Sequence, residues 1–178
     1  MEYQIRLGGS GGQGLILAAI ILAEAAILAG HNVVQTQSYG PEARGGASRA
    51  DIIISEEEID YPKVTDPNLL LVMSQQAYDK FSCLACQDGT LIVDSTFVEK
   101  ICAAHCQLVS LPITKAVIDR LGEVQVANVA ALGVLAAYQT IIKPDFIREA
   151  IRHRVPPGKL ELNLRAFELG MEIAKSSE

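Results

Sequence analysis

Tyr3-Gln4-Ile5-Arg6-Leu7 runs into Gly8-Gly9-Ser10-Gly11-Gly12-Gln13-Gly14, and from there directly into Leu15 to Ala29, a run of Leu, Ile and Ala broken by one charge, Glu24. Such a run reads as a short strand, a glycine-rich turn and a helix. The helix is apolar almost all round, which requires burial on more than one side. Gly30 is suited to end it as the left-handed residue past the last turn, and His31 behind it is read as part of that cap.

The same alternation continues outward. Asn32 to Gln37 and Ala50 to Ser55 read as strands, and Leu69 to Met73 and Thr90 to Val93 as continuous apolar strands covered on both faces. Gln76 to Ala85 reads as a helix between them, and Leu108 to Leu111 as a strand stopped by Pro112. From Ala116 the chain turns helical. Val124 to Ile142 forms one long small-residue helix, Pro144 to His153 a helix with Pro at its first position, and Glu161 to Lys175 the last. The expected architecture is a three-layer α/β/α domain on a Rossmann-like, mostly parallel sheet. Residues 1–178 form one domain, and Arg154-Val155-Pro156-Pro157-Gly158 is the candidate hinge setting the last helix apart.

Composition narrows the chemistry. Fifteen Lys and Arg against 21 Asp and Glu leave a formal charge of −6, against the basic footprint that duplex nucleic acid requires. Aromatic residues are 5% with no Trp, too few for a base-stacking platform. Four cysteines do not make a disulfide scaffold. Leu15 to Ala29 is too short to cross a bilayer and carries Glu24, and no basic segment precedes it as in a signal peptide. A cytoplasmic protein with small-molecule or protein partners is expected, with no nucleic acid and no membrane among them.

Gly9-Ser10-Gly11-Gly12-Gln13-Gly14 satisfies G-x-G-x-x-G between a strand and a helix. Glycines allow positive φ and close backbone approach, and N–H groups at a helix start favour an anion. The loop is therefore a candidate binding site for a phosphate, a pyrophosphate or a carboxylate. The alternative is a turn whose glycines only let the helix pack on the sheet. A nicotinamide dinucleotide site calls for a carboxylate at the end of the second strand, where Gln35-Thr36-Gln37-Ser38 stands instead. A lysine-bearing P-loop is absent too. A second loop, Ser38 to Ser48, carries Arg44-Gly45-Gly46. In a parallel sheet both loops open on one crevice, with Arg44 suited to bind phosphate or carboxylate bidentately. Its alternative is pairing with Glu42 or Asp51.

Gly8 to Gly14, the Leu-Ala-Glu-Ala-Ala helix behind it, Gln35 to Gly46, Ser55 to Lys63 and Asn128-Val129-Ala130-Ala131-Leu132-Gly133 together resemble the gamma subunits of 2-oxoacid:ferredoxin oxidoreductases, most of all those of 2-oxoglutarate enzymes. The resemblance covers the whole chain and implies the fold of the gamma domain of pyruvate:ferredoxin oxidoreductase. It further implies a subunit that catalyses nothing alone and binds no cofactor tightly. Alpha and beta subunits hold thiamine diphosphate, and beta or a ferredoxin-like delta subunit holds the iron–sulfur clusters. Coenzyme A is a substrate at a shared site, and ferredoxin accepts the electrons. By this resemblance Gly9, Ser10, Gly11, Gly12, Gln13, Gly14, Arg44, Gly45 and Gly46 face the ligand, and no residue is catalytic. The rival reading is a stand-alone nucleotide- or flavin-binding oxidoreductase.

Other residues invite roles. Cys83-x2-Cys86 and Cys102-x3-Cys106 have rough metal-site spacing, but they lack knuckle glycines and read as core thiols, so no metal is expected. Asn128 is read as a helix cap or a residue reaching the crevice, Asp94-Ser95 as a candidate ligand contact, and Glu56-Glu57-Glu58 as a solvated turn or a contact for a basic partner surface. Glu24 needs a partner for its carboxylate, sought on another chain.

Overall fold

The computed structural model describes residues 2–38, 46–82, 88–102 and 106–176. Among them are six strands, β1 (Glu2–Ser10), β2 (Asn32–Ser38), β3 (Ala47–Ser55), β4 (Leu69–Val72), β5 (Thr90–Asp94) and β6 (Gln107–Leu111), and six helices, α1 (Leu15–Leu28), α2 (Gln75–Phe81), α3 (Ile113–Leu121), α4 (Ala127–Tyr138), α5 (Pro144–Arg154) and α6 (Leu160–Lys175). The strands form one sheet in the order β2-β3-β1-β4-β5-β6. Its layers are those expected of a three-layer α/β/α domain, with helices on both faces.

The sheet is mixed. β1, β4, β5 and β6 run parallel, while β3 lies antiparallel to both β1 and β2. Only residues 39–46 separate β2 from β3, and a parallel return needs a crossover of about a dozen residues or more. β1 does not stop at its glycines: Gly8, Gly9 and Ser10 pair with Arg49, Ser48 and Ala47 of β3.

Alternation sorts the core into two. Ile5, Leu7, Ile52, Leu69, Leu71 and Ile92 face α1 and α4, and Leu70, Val72, Leu91 and Val93 face Ala77, Tyr78 and Phe81 of α2. β4 is thus apolar at every position because it is covered on both sides. α1 packs on the sheet with one flank and on α5 with another, which is why both its flanks are apolar. Its end is a Schellman motif: Gly30 takes φ 90°, its N–H donates to Ile27 O at 2.9 Å, and the His31 N–H donates to Ala26 O at 3.0 Å.

The expected long helix over Val124–Ile142 is shorter. A single 3₁₀ turn at Val124–Val126 precedes α4, and Gln139 ends it in extended conformation. The Gln139 side chain both donates to Ile142 O and accepts from Ile142 N–H, each at 2.7 Å. α3 begins at Ile113, three residues before the expected start, and the N–H of its second residue, Thr114, donates to buried Asp94 Oδ2 at 3.2 Å. Nor is α6 set apart by the Arg154–Gly158 segment. It lies along α4, so closely that a methyl on Gly133 would sit 2.9 Å from Met171 N.

Two charge clusters brace the frame. Arg6 of β1 and Asp51 of β3 form a buried bidentate pair, Nε to Oδ1 at 2.7 Å and a terminal nitrogen to Oδ2 at 2.9 Å, and Arg6 also donates to Val64 O at 2.9 Å. Glu24 finds its partners within the chain rather than on another. His153 Nδ1 of α5 lies 2.7 Å from Glu24 Oε1, and Arg154 binds Oε2.

Candidate functional site

β1 leads through α1 to β2 on one side of the sheet, whereas β4 leads through α2 to β5 on the other. The carboxyl ends of β1 and β4 therefore flank a topological switch point, where open α/β sheets bind ligands. The glycine loop lies there. Gly11 and Gly12 are exposed, and the turn closes with the Gln13 N–H donating to Ser10 O at 3.3 Å. Gly12 at φ 89° and Gly14 at φ 73° are left-handed, a conformation that costs glycine little and other residues more.

The Gln13 side chain spans the switch point. Its Oε1 accepts the Ser10 N–H at 2.7 Å, and its Nε2 donates to Met73 O, just beyond β4, at 2.8 Å. The Met73 N–H in turn donates to Gly8 O at 2.9 Å, and Ser48 Oγ donates to Gly9 O at 3.1 Å. Asn128, at the second position of α4, does not cap that helix. Its Nδ2 donates to Gly14 O at 3.0 Å, tying the start of α4 to the start of α1.

A cavity of about 160 Å³ opens beside this loop, lined among others by Gly12, Gln13, Met73, Phe97, Thr114 and Val124. No charged side chain is among its described lining residues. Phe97 and Val124 at its mouth are 45% and 53% exposed, so the rim is apolar. Beyond Gln125 a second cavity of about 230 Å³ is bounded by Leu17, Glu123, Asn128 and Lys159, and Lys159 Nζ donates to Gln125 Oε1 at 3.3 Å. A wider groove of about 850 Å³ between α3 and α6 shares no residue with the loop.

The expected site residues are only partly brought together. Gly9 to Gly14 are contiguous at the switch point, and Gly46 stands at the same end of the sheet, next to Ala47, which pairs with Ser10. Arg44 and Gly45 lie outside the described residues, as do Cys83 and Cys86. Asp51, the alternative partner for Arg44, is held by Arg6, with Arg49 Nε 3.6 Å from its other oxygen. The described end of β2, Gln35 to Ser38, carries no carboxylate. Asp94 is not free to meet a ligand: its Oδ1 accepts from Thr96 N–H at 3.0 Å, and its Oδ2 from Thr114 N–H at 3.2 Å and Thr114 Oγ1 at 2.5 Å. Of the remaining thiols, Cys102 is exposed rather than in the core, and Cys106 is half-buried at the edge of the α2-side core. Glu56, Glu57 and Glu58 are solvated as expected.

Phe97, Thr114 and Val124 were not legible as lining of this crevice. Each reaches the crevice from a different segment, and none belongs to a motif.

The profile of the pyruvate ferredoxin/flavodoxin oxidoreductase family matches residues 4–173. The chain is 43% identical to the 2-oxoglutarate synthase subunit KorC of Methanocaldococcus jannaschii, over 98% of this chain and 95% of that one. Among solved structures, the gamma subunit of the keto/oxoacid ferredoxin oxidoreductase from Geobacter sulfurreducens superposes with a TM-score of 0.92 at 40% identity, covering 99% of this chain and 98% of that one. The 2-oxoglutarate:ferredoxin oxidoreductase of Magnetococcus marinus, whose structure holds 2-oxoglutarate, coenzyme A and succinyl-CoA, shares the fold over 98% of this chain and 31% of that one, with a TM-score of 0.88 at 20% identity.

Proposed function

Because the chain belongs to the pyruvate ferredoxin/flavodoxin oxidoreductase family, we propose that it is the gamma subunit of a 2-oxoglutarate:ferredoxin oxidoreductase and forms the coenzyme A side of that enzyme's active site. The complex converts 2-oxoglutarate and coenzyme A to succinyl-CoA and carbon dioxide, with the two electrons passing to ferredoxin. The observation carrying this reading is the 43% identity over nearly the full length of a 2-oxoglutarate synthase subunit. The relatives lend no such support to a stand-alone nucleotide- or flavin-binding enzyme.

Thiamine diphosphate, held between alpha and beta subunits, supplies the stabilised carbanion for decarboxylation, and iron–sulfur clusters on beta or a delta subunit carry the electrons. This chain contributes shape and recognition. The glycine loop at the β1–β4 switch point offers backbone groups to coenzyme A, and the Arg44-Gly45-Gly46 segment, entered from Ser38 at the same end of the sheet, offers a cation for its phosphates. Among the described residues no group of three or more His, Cys, Asp or Glu is placed to hold a metal ion, and no helix is long and apolar enough to cross a membrane. We place the complex in the cytoplasm.

The test is anaerobic purification of the tagged chain with whatever subunits accompany it, followed by an assay of ferredoxin reduction. The expected preparation contains thiamine diphosphate and iron–sulfur and reduces ferredoxin only when 2-oxoglutarate and coenzyme A are both supplied. A chain that purifies alone, or a complex that accepts pyruvate and not 2-oxoglutarate, overturns the reading.

A further inference from the structure

We propose that the crevice at the ends of β1 and β4 receives an uncharged, amide-bearing part of the ligand, and that the Gln13 carboxamide is its stand-in until the ligand arrives. This rests on the coenzyme A reading above and specifies which part of that molecule the loop meets.

Glycine loops that hold phosphates leave their N–H groups open to the anion. Here one of these groups, the Ser10 N–H, is taken by Gln13 Oε1 at 2.7 Å, and the same carboxamide donates to Met73 O at 2.8 Å. The two backbone groups thus form a donor and an acceptor that one amide satisfies at once. They sit at the ends of neighbouring parallel strands, Ser10 closing β1 and Met73 just beyond β4, at the switch point where the fold places ligands. Gln13 is half-buried and also lines the adjoining cavity of about 160 Å³. That cavity, lined by Met73, Phe97, Thr114 and Val124 without a charged side chain among its described residues, would leave a phosphate unpaired and desolvated. An amide on an aliphatic arm suits it. Its carbonyl takes the Ser10 N–H, its N–H goes to Met73 O, and its methylenes lie against Phe97 and Val124. Exchange of one amide for another leaves the number of hydrogen bonds unchanged, so the swap is not opposed by lost bonding.

The experiment uses the assembled enzyme and two competitors of coenzyme A: pantetheine, which carries the amides without the nucleotide, and adenosine 3′,5′-bisphosphate, which carries the charge without the amides. Gln13→Ser removes the internal amide. We expect it to lower the inhibition constant of pantetheine by about threefold or more and to leave that of the bisphosphate within twofold. An unchanged or raised pantetheine constant overturns the proposal, because Gln13 is then only a rivet between β1 and β4. Gly11→Trp, at a position where an added Cβ meets nothing within 4 Å, separates the two levels of the argument. If Gly11→Trp leaves the KM for coenzyme A unchanged, the coenzyme does not come to this crevice and the underlying reading fails. If it raises that KM while Gln13→Ser does not favour pantetheine, only the present proposal fails. Should Gln13→Ser not assemble, the wild-type chain gives the same answer by NMR. The Gln13 side-chain amide signals should move on addition of pantetheine and not on addition of the bisphosphate; the reverse overturns the proposal.

Discussion

Gly133 of α4 and Gly170 of α6 meet backbone to backbone: a methyl built on either would lie 3.0 Å from the other's Cα. The two helices can approach this closely only because neither carries a side chain there. Substituting Ala at Gly170 forces the helices apart and opens the packing around the neighbouring, fully buried Phe167 of α6. We expect a loss of about 3 kcal/mol, at the upper end for overpacking, and a fall in Tm of roughly 6–12 °C for a chain this size. Gly158→Ala is the control, since that position has open space around it and Ala restricts the unfolded chain. Its Tm should hold or rise. Thermal unfolding followed by circular dichroism reads both.

The Arg6–Asp51 pair is sealed in the sheet, at 3% and 4% exposure. Removing one partner leaves a buried charge without its counterpart, which costs about 3–5 kcal/mol. Asp51→Ala should therefore destabilise strongly in urea titrations. The double variant Arg6→Met with Asp51→Leu removes both charges and should recover much of that loss. A double variant as unstable as Asp51→Ala would show that the pair itself, rather than its desolvation, carries the stability.

Burial pushes the Glu24 carboxyl up, but hydrogen bonds from Arg154 and His153, reinforced by the Arg154 charge, outweigh it and hold the carboxyl below its ordinary value. A carboxyl with a depressed folded value binds protons more weakly when folded than when unfolded. The stability it contributes is complete above the ordinary carboxylate range, near pH 4.3, and is lost as pH falls through the lower folded value. Tm measured against pH should show wild type above Glu24→Gln at pH 7, with the gap closing below about pH 4. A gap constant with pH would mean that shape, not charge, joins α1 to α5.

These contacts also mark what the sequence could and could not disclose. The β1–loop–α1 unit was legible because its signals are local: five glycines between an apolar strand and an Ala- and Leu-rich run. The Schellman end at Gly30 and His31 was legible for the same reason. What escaped was set by partners distant in the chain. Glu24 looked like an interface residue because its partner His153 is 129 positions away. Gly133 stood only at the end of the Asn128–Gly133 segment and Gly170 inside the last helix, with nothing local to pair them, and their meeting explains how α6 lies so close along α4. The β2–β3 pairing escaped a length argument, since the expected strands left residues 38–49 between them, enough for a parallel crossover, whereas the observed strands leave only 39–46. The alternating pattern of strand and helix elsewhere obscured it. At the site, the Gly9–Gly14 loop was visible as a motif, whereas the use of Gln13 to bridge Ser10 and Met73 depends on β4 lying beside β1.

Arg44 is the residue through which the coenzyme A reading is tested most directly, because the described lining beside the glycine loop holds no cation of its own. Its segment leaves β2 at Ser38 and returns at Ala47, beside Ser10. Arg44→Ala in the assembled enzyme should leave subunit composition and Tm unchanged and raise the KM for coenzyme A about tenfold or more, as befits loss of one charge-assisted contact to a phosphate. The kcat at saturating coenzyme A should stay within about twofold, because a contact made equally in the ground and transition states affects binding alone. Arg44→Lys should recover part of the loss, keeping the charge without the planar fork. A KM that does not move in an intact complex would remove Arg44 from the coenzyme site.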